Sequence, residues 1–545
     1  MAPDLKSLRM AIKASCLERS RSLLSLVDRS PYSPTYGCFD RSFWQYKIKD
    51  FPSGMSQEAL YPLALALDAD LFPGITEDGC TEIKQLLSAA ATLSLRQQHR
   101  NGSVDDYFPF EQAAGATAFS LFAILATIEA GHLRLSHQDN ALLQRRLNWL
   151  ASHHESGRLS NHEALISLVL AMASSYFHDS VWLKMSAQRC QRLIGWRSAE
   201  GWFEEYGGFD VGYETLTFSC LLELSKRLPA QADGLAVILQ KQAEVILGTL
   251  EPDGCFGGEL FSRGTWNCFA HGLLAYALDG HSQLLAPVIQ LLHARFVDYP
   301  IVVRDDYVIQ HHLWSDLLCL RLLACVPNQS TWRGEPMPHH QRALPESGHF
   351  WIQHGDLITH VSTRLGGAFR VYRQGAFVVQ DTQFALQVRG PRLQTWMANA
   401  QLSAVRWHWQ SPTVLVVDGP LTAYKAQLMT SAKLILLRFI MFLGGRFWPD
   451  AIRRAMQRML IYCQPDMRRR FARQFEFKES RLVVSDAYFL PESELAATEL
   501  INTSSSGFRH VVMSRMFHPY DLLRKSPLRD RRQCSGEALI VEREW

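Results

Sequence analysis

Apolar residues recur along the first 326 positions in a unit of about fifty residues. Each unit has a polar or aromatic loop containing glycine, followed by an apolar run of helical length. For example, "RNGSVDDYFPFEQ" precedes "AAGATAFSLFAILATI", and "ESGRLSNHE" precedes "ALISLVLAMASSYF". The intervals between marker glycines are 48, 55, 44 and 53 residues. These glycines are Gly54, Gly102, Gly157, Gly201 and Gly254. A unit of this length accommodates two helices and two loops.

The repeat predicts six helical pairs between about Gln57 and Val326, although the sixth unit, near Tyr307, lacks its glycine. Six pairs can close into a toroid with an inner and an outer layer of helices. All loops of one type then lie on the same rim. An open helical solenoid is the structural alternative, because periodicity alone is common to both.

After about Pro327 the pattern changes to alternating apolar and polar residues. Stretches such as "HFWIQHGDLITHVSTRLGGAFRVYRQGAFVVQD" and "RQFEFKESRLVVSDAYF" indicate antiparallel strands. A helical insertion over residues 423–463 interrupts them. We therefore predict an α+β multidomain protein. An N-terminal (α/α)6 toroid spans residues 1–327, and an antiparallel β-sandwich domain carrying the insertion spans residues 328–545.

Charge is uneven along the chain. The 56 Lys and Arg residues and 53 Asp and Glu residues leave a net charge of only +3. From Ser431 to Trp545, however, 20 basic residues face 13 acidic ones, a local excess of +7. A solvated basic face is the simpler interpretation, and proximity to an acidic polymer or an anionic membrane is the alternative. No nucleic-acid partner is predicted.

The N-terminal stretch "MAPDLKSLRMAIKASCLERS" has no uninterrupted apolar core of signal-peptide length. The 11 cysteines contain no CxxC pair, which favours reduced thiols, a cytoplasmic location and no zinc ribbon. The most apolar stretch, "AKLILLRFIMFLGGRFW", is interrupted by Lys433, Arg438 and Arg446. It predicts a buried or interfacial amphipathic helix. If it is exposed, peripheral contact with the inner face of an anionic membrane follows.

The predicted rim loops are rich in residues that can transfer protons or bind sugars. They contribute Tyr107, Asn161, His162, Glu205, Tyr206, Tyr213, Glu259, Arg263, Trp266 and, one turn into a helix, His271. An Asn-His pair, a tyrosine and an arginine on one rim suit β-elimination from a uronic acid sugar.

That reaction requires three roles. Asn161, helped by Arg263 or His162, would neutralise the substrate carboxylate so that the adjacent C5 proton becomes acidic. His162 or Tyr213 would remove this proton. A tyrosine, whose ordinary pKa is ~10 and falls beside an arginine, would protonate the leaving oxygen. The chemistry requires no metal or organic cofactor. The remaining candidates are assigned to substrate binding: Tyr107, Glu205, Tyr206, Glu259, Trp266 and His271.

Structural roles compete with these assignments. Asn161 is also a good helix N-cap, with Glu163 in the first turn, and His271 and Trp266 also suit packing. Two other functions stay open. An inverting glycoside hydrolase would pair Glu205 or Glu214 with Asp106 or Glu259, about 6.5–9.5 Å apart. A non-catalytic accessory protein would only bind polysaccharide.

At "SNHEALISLVLA" and "GWFEEYGGFDVGYETLT" the chain resembles the heparinase II/III-like polysaccharide lyases, whose helical toroid precedes a β-sandwich. The resemblance implies that Asn161 neutralises the carboxylate, that Tyr213 is the acid or the combined acid and base, and that His162 assists. It implies a carbon–oxygen lyase that cleaves a uronate-containing acidic polysaccharide. The stretches "GGELFSRGT" and "FRHVVMSRMFHPYDL" resemble a bacterial subgroup connected with exopolysaccharide production.

The chain departs from the family pattern at two points. The loop that usually begins Asp-Gly begins here with Glu200-Gly201. The β domain of the family usually carries a His-x-His-x-Asp cluster, and this sequence has none. Its histidines in that region are scattered candidates: His349, His354, His360 and His408.

Overall fold

The computed structural model of the chain describes residues 4–72, 74–155, 157–205, 207–301, 303–326, 342–390, 393–398, 405–424, 430–445, 447–449, 451–452, 455, 465–502, 516, 527, 529–535 and 538–545. Its first part is helical. The main helices are α1 (Leu5–Leu26), α2 (Leu60–Asp68), α3 (Glu77–Arg96), α4 (Ala114–Glu129), α5 (His137–Ser152), α6 (Ser160–Phe177), α7 (Ser180–Ile194), α8 (Val211–Arg227), α9 (Ala232–Leu247), α10 (His271–Leu278), α11 (Leu285–His293) and α12 (Ile309–Leu323).

The even-numbered helices contact one another in ring order. α2 contacts α4, and the contacts continue through α6, α8 and α10 to α12, which returns to α2. The odd-numbered helices lie outside this ring. α1, which precedes the predicted start of the repeat at Gln57, packs against α12 and α2. The first helical pair therefore begins earlier than the glycine markers indicated.

Sequence composition explains which helices are inside. α6 is apolar on nearly all sides, and 13 of its residues are buried, from Ser160 to Ala173. A helix of this kind is stable only when other elements surround it. α7 buries one stripe, formed by Trp182, Ser186, Arg189, Cys190 and Leu193. Their spacing of three and four residues places them on a single face, and the opposite face is left to solvent.

Antiparallel strands follow the helices. The first sheet has the order β1 (Arg342–Leu344), β2 (His349–His354), β3 (Leu357–Ser362), β4 (Ala368–Arg373) and β5 (Ala376–Asp381). The second sheet contains β6 (Phe384–Val388), β7 (Gln394–Met397), β8 (Arg406–Ser411), β9 (Val414–Tyr424), β10 (Pro465–Lys478), β11 (Arg481–Phe489), β12 (Thr498–Asn502), β13 (Arg529–Ser535) and β14 (Ala538–Glu544). Its order is β12-β6-β7-β9-β10-β11-β14-β13, and β8 also pairs with β9.

The two sheets share one buried cluster of apolar side chains. Phe369 from the first sheet packs edge to face against Phe475 from the second, with ring centroids 5.4 Å apart. The order of helices followed by antiparallel strands agrees with the sequence prediction. The domain boundary predicted at residues 327/328 lies outside the described residues and stays a prediction.

A ten-residue helix lies between two neighbouring strands of the second sheet. α13 (Ser431–Ile440) lies between β9 and β10, inside the predicted insertion. Neither it nor any other described helix is long and apolar enough to cross a membrane.

Candidate active site

Loops that lead into α4, α6, α8 and α10 lie next to one another. Gly115 at the start of α4 lies against His162 at the start of α6, where a Cβ atom would be 2.5 Å from the imidazole Cε1. Gly212 at the start of α8 lies equally close to the backbone of Asn267, ahead of α10. The absence of a side chain at both glycines allows these helix ends to converge. The candidate residues of several repeats are thereby brought together.

The Glu205 carboxylate is at the centre of this convergence. It is buried and accepts three side-chain hydrogen bonds. Asn161 Nδ2 donates to one oxygen at 2.8 Å, and Ser160 Oγ donates to the same oxygen at 3.2 Å. Arg263 Nη1 donates to the other oxygen at 2.8 Å. Donors from two repeats therefore hold one carboxylate by both of its oxygens.

Arg263 connects that carboxylate to Tyr213. Its Nη2 donates to the Tyr213 hydroxyl at 3.3 Å, and its guanidinium carbon lies 4.4 Å from the centroid of the phenol ring. Asp210 fixes both partners, because it accepts from the backbone N–H of Tyr213 at 3.1 Å and of Arg263 at 3.0 Å. Asn161, Tyr213 and Arg263 therefore lie around one buried carboxylate, and their catalytic roles stay a prediction.

His162 lies beside the cluster formed by Asn161, Glu205, Tyr213 and Arg263, but its hydrogen-bond partner is outside that cluster. Its Nδ1 lies 2.7 Å from the Glu155 carboxylate. Burial lowers the pKa of His162, but Glu155 outweighs burial, so that the pKa is raised above its ordinary value. The imidazole therefore has a stronger tendency to carry charge than a free histidine, and this suits a cation that attracts an anionic sugar.

Two histidines form a pair in the β region, where the sequence showed only scattered candidates. His349 on β2 and His360 on β3 are buried, with Nδ1 of the first 3.0 Å from Nε2 of the second. His360 Nδ1 lies 2.5 Å from the Glu251 carboxylate of a helical loop. Burial places both histidine pKa values well below the ordinary range.

The direction of each hydrogen bond in the series from His349 through His360 to Glu251 follows from the protonation of the imidazoles. Both imidazoles are neutral and carry one N–H each, so that the His360 Nδ1–H donates to the Glu251 carboxylate and the His360 Nε2 accepts from the His349 Nδ1–H. This leaves Nε2 of His349 as the basic nitrogen of the chain. The His349 ring stacks on Phe261, two residues before Arg263, with centroids 4.4 Å apart. Alternation along one hairpin was the only sequence signal that could have paired these histidines.

Two candidates for substrate binding contact the first sheet instead of open space. Glu259 Oε2 accepts from Gln380 Nε2 at 2.5 Å. Trp266 is buried beneath the Arg370 guanidinium, whose central carbon is 4.9 Å from the ring centroid. In this structure both residues belong to the interface between the helical loops and β3–β5.

The other acids of the stretch "EGWFEEYGGFDVGYE" have structural bonds. Glu200 accepts from the backbone N–H groups of Glu346 and Ser347 at 2.7 and 3.1 Å. Glu214 accepts from Phe203 N and from Gln242 Nε2, the latter at 2.7 Å. Because of burial, the pKa of Glu214 is raised to about 8 and that of Asp210 to about 7. The density of carboxylates in this loop therefore reflects its own folding as well as its chemistry.

The remaining candidates are separate from the cluster or outside the described residues. Tyr107 is 52% exposed on the loop before α4. Tyr206 lies outside the described residues. His271 bonds Ser315 Oγ at 2.8 Å and lines a cavity of about 310 Å³ that extends to the C-terminal ends of α4, α8 and α12. Burial lowers the pKa of His271 to about 3, so that it is neutral there.

The cluster is closed to solvent in this conformation. Asn161, Glu205, Tyr213 and Arg263 are 1%, 1%, 7% and 7% exposed. The Tyr213 side chain therefore does not face an open cleft in this conformation, and Glu205 fills the space between Asn161 and Arg263. No group of three or more His, Cys, Asp or Glu residues within the described ranges could hold a metal ion.

Comparison with solved structures finds this fold in heparinase III. The superposition has a TM-score of 0.51 and covers 87% of this chain and 70% of heparinase III, at 10% sequence identity. A mutant of heparan sulfate lyase HepC from Pedobacter heparinus aligns over 87% of this chain and 68% of its own, at 9% identity and a TM-score of 0.42. No family model matches the chain, and no curated protein sequence matches it. The likeness to heparinase III shows a polysaccharide-lyase-like fold.

Proposed function

We propose that this protein is a polysaccharide lyase that cleaves a uronate-containing acidic polysaccharide by β-elimination. One observation supports the proposal most strongly: Asn161 and Arg263 hold a carboxylate by both oxygens, directly beside the Tyr213 hydroxyl. This donor set is what the reaction requires around the substrate carboxylate. In the closed conformation the chain's own Glu205 carboxylate occupies it.

In the proposed reaction the sugar carboxylate takes the place of Glu205. Asn161 and Arg263 then stabilise the negative charge that develops on the carboxylate when the C5 proton leaves. Tyr213 transfers a proton to the leaving glycosidic oxygen, and the Arg263 guanidinium stabilises the resulting phenolate. A neutral imidazole removes the C5 proton: either Nε2 of His349, or His162 after it has released its own proton. The C4–oxygen bond breaks, and a C4–C5 double bond forms.

We also assign the architecture to the (α/α)6 toroid and β-sandwich class, with the domain boundary near residue 327. The ring of contacts among the even-numbered helices and the apolar cluster common to both sheets support this assignment. The link to exopolysaccharide production, the bacterial subgroup and the cytoplasmic location stay predictions from the sequence. The proposed partners are an acidic polysaccharide at the Tyr213 cluster and an anionic membrane at α13.

The second candidate function is an inverting glycoside hydrolase. The raised pKa of Glu214, about 8, would keep a general acid protonated at neutral pH. Its bonds to Phe203 and Gln242 hold it inside the helical layer, however. Glu259, a proposed partner, is bonded to Gln380. The geometry therefore favours the lyase. A third candidate is a protein that only binds polysaccharide. It is favoured because the cluster is closed to solvent, so that no substrate reaches Tyr213 in this conformation.

The test is incubation with a panel of uronate-containing polysaccharides. Elimination produces an unsaturated uronate that absorbs ultraviolet light, whereas hydrolysis produces only a reducing end. Tyr213→Phe removes one hydroxyl, and we expect the turnover rate to fall ~10²–10⁴-fold with little change in sugar binding. Tyr276→Phe is the matched control, because its ring is equally buried, at 6% exposure, in α10. Full turnover by Tyr213→Phe, or reducing ends without ultraviolet absorption, would reject the lyase.

A further inference from the structure

Many large apolar side chains are exposed to solvent on and directly after α13. Nine of the 22 most exposed large apolar residues of the described chain lie within fifteen positions. These nine, here called the α13 surface, are Leu434, Ile435, Leu436, Phe439, Ile440, Phe442, Leu443, Phe447 and Trp448. Ile435 is 69% exposed and Trp448 is 67% exposed. A patch of this kind normally marks a site of association.

The helix is attached to the rest of the molecule along one short line. Met441, directly after α13, is buried, and Phe442 contacts Phe110 with ring centroids 5.9 Å apart. Arg438 pairs with Asp50 at 2.8 Å. No residue of α13 itself is buried. The sequence alternative of a helix buried against the strands is therefore excluded, and the apolar residues face outward.

The charge of the segment indicates what covers this surface. Residues 425–464 contain one acidic residue, Asp450, and seven basic ones. The basic residues are Lys425, Lys433, Arg438, Arg446, Arg453, Arg454 and Arg458. A second copy of the chain would bring two such segments together with like charges opposed, whereas an anionic lipid surface complements them. Phe and Trp side chains among basic residues are also typical of helices that lie in the membrane interface.

We propose that the α13 surface docks this protein onto an anionic lipid bilayer. α13 has ten residues, far fewer than the ~20 that a membrane-spanning helix needs. It therefore lies in the plane of the interface, with its apolar side chains among the acyl chains and its basic side chains at the headgroups. The bilayer is then next to the loop carrying Tyr107 and Phe110, at the same end of the helices as Asn161 and Tyr213.

Co-flotation of the full chain with lipid vesicles tests this proposal. We expect binding to vesicles that contain phosphatidylglycerol, weaker binding to vesicles of phosphatidylcholine alone, and loss of part of the binding as salt is raised. The triple variant Ile435→Ser, Leu436→Ser, Phe439→Ser removes three apolar side chains that would become buried in the bilayer on binding. Each is worth at least about tenfold in partitioning, so that the loss of all three should lower the affinity for the vesicles by about a thousandfold.

A matched triple variant replaces exposed apolar residues elsewhere: Val181→Ser, Val237→Ser and Met467→Ser. These side chains are 50%, 67% and 66% exposed. We expect this variant to float as the wild type does, and both variants to keep the wild-type circular dichroism spectrum, because no buried contact is removed. The proposal is overturned if the wild type does not float, or if the α13 variant floats equally well. It is also overturned if the wild type is a dimer that the α13 variant dissociates, because a second copy then covers the surface. None of these outcomes depends on lyase activity.

Discussion

At the scale of single residues, two glutamates of the same stretch of sequence differ in how their surroundings stabilise the carboxylate. Glu205 is surrounded by N–H and O–H donors from Asn161, Ser160 and Arg263, which stabilise its charge. Glu214, nine residues later, has only the Phe203 N–H and the neutral Gln242 amide, and burial raises its pKa to about 8. Spacing in the sequence does not distinguish the two, because the difference lies in which donors reach each carboxylate.

The raised pKa of Glu214 predicts a pH dependence of stability. Between about pH 4.5 and about 8 the folded chain keeps a proton at Glu214 that the unfolded chain releases. The free energy of unfolding should therefore fall as pH rises through this window. Glu214→Gln resembles the protonated acid and does not titrate. We therefore expect the free energy of unfolding of this variant to depend less steeply on pH, by an amount that corresponds to at most one bound proton. Denaturant unfolding at several pH values measures this slope.

Glu223→Gln is the matched control for this measurement. Glu223 lies on the same helix, α8, with its side chain 41% exposed, and we expect the wild-type slope in that variant. An unchanged slope in Glu214→Gln would mean that Glu214 is already ionised in the folded protein.

At the scale of secondary-structure elements, buried ion pairs connect the two sheets. Asp381 ends β5 in the first sheet, whereas Arg473, Asp486 and Arg543 lie on β10, β11 and β14 in the second. Arg473 donates to Asp381 at 2.8 Å and to Asp486 at 2.5 Å, and Arg543 bonds both carboxylates. Burial alone would raise the pKa of Asp381, but the two arginines lower it to about 2.

Breaking this network should destabilise the β region strongly. Arg473→Met leaves two buried carboxylates with a single arginine, and we expect a loss of ~3–5 kcal/mol in the free energy of unfolding. Arg389→Met removes an exposed pair with Glu499, whose side chains are 75% and 54% exposed, and should cost less than ~1 kcal/mol. Chemical denaturation compares the two variants. Equal losses would show that burial of the network contributes nothing.

At the scale of the whole molecule, the helical loops and the first sheet meet through a polar row. His360, Arg370 and Gln380 are direct cross-strand neighbours on β3, β4 and β5. They face Glu251, Trp266 and Glu259 of the helical part, respectively. Arg370 is fully buried between these groups. Its loss would leave the carboxylates of the interface without their cation.

We therefore expect Arg370→Leu to separate the unfolding of the two parts. Calorimetry should show one main transition for the wild type and two for the variant, with the strands unfolding at the lower temperature. Arg373→Leu is a control on the same strand, because its side chain points to the opposite face and is 44% exposed in a pair with Asp356. A single unshifted transition in Arg370→Leu would indicate that the apolar contacts alone join the two parts.

Much of the fold was predictable from the chain alone. Apolar periodicity identified the inner helices, because a helix such as α6 with no polar face must be surrounded. The marker glycines predicted recurring turns: Gly102 has φ +101°, and a Cβ atom there would lie 2.5 Å from the Arg145 carbonyl oxygen. α1 was missed because it precedes the first glycine marker, and its polar surface carries no repeat signal.

The sequence by itself determined the order of helices and strands, the residue types of the rim loops and the apolar, basic character of α13. These properties depend on neighbours along the chain, which set backbone preference and the burial of each face. Only the tertiary structure decided that Glu205 fills the site between Asn161 and Arg263, that His349 and His360 meet Glu251, and that α13 faces outward. These outcomes depend on contacts between residues from eleven to several hundred positions apart, and no local pattern specifies which donor reaches which acceptor.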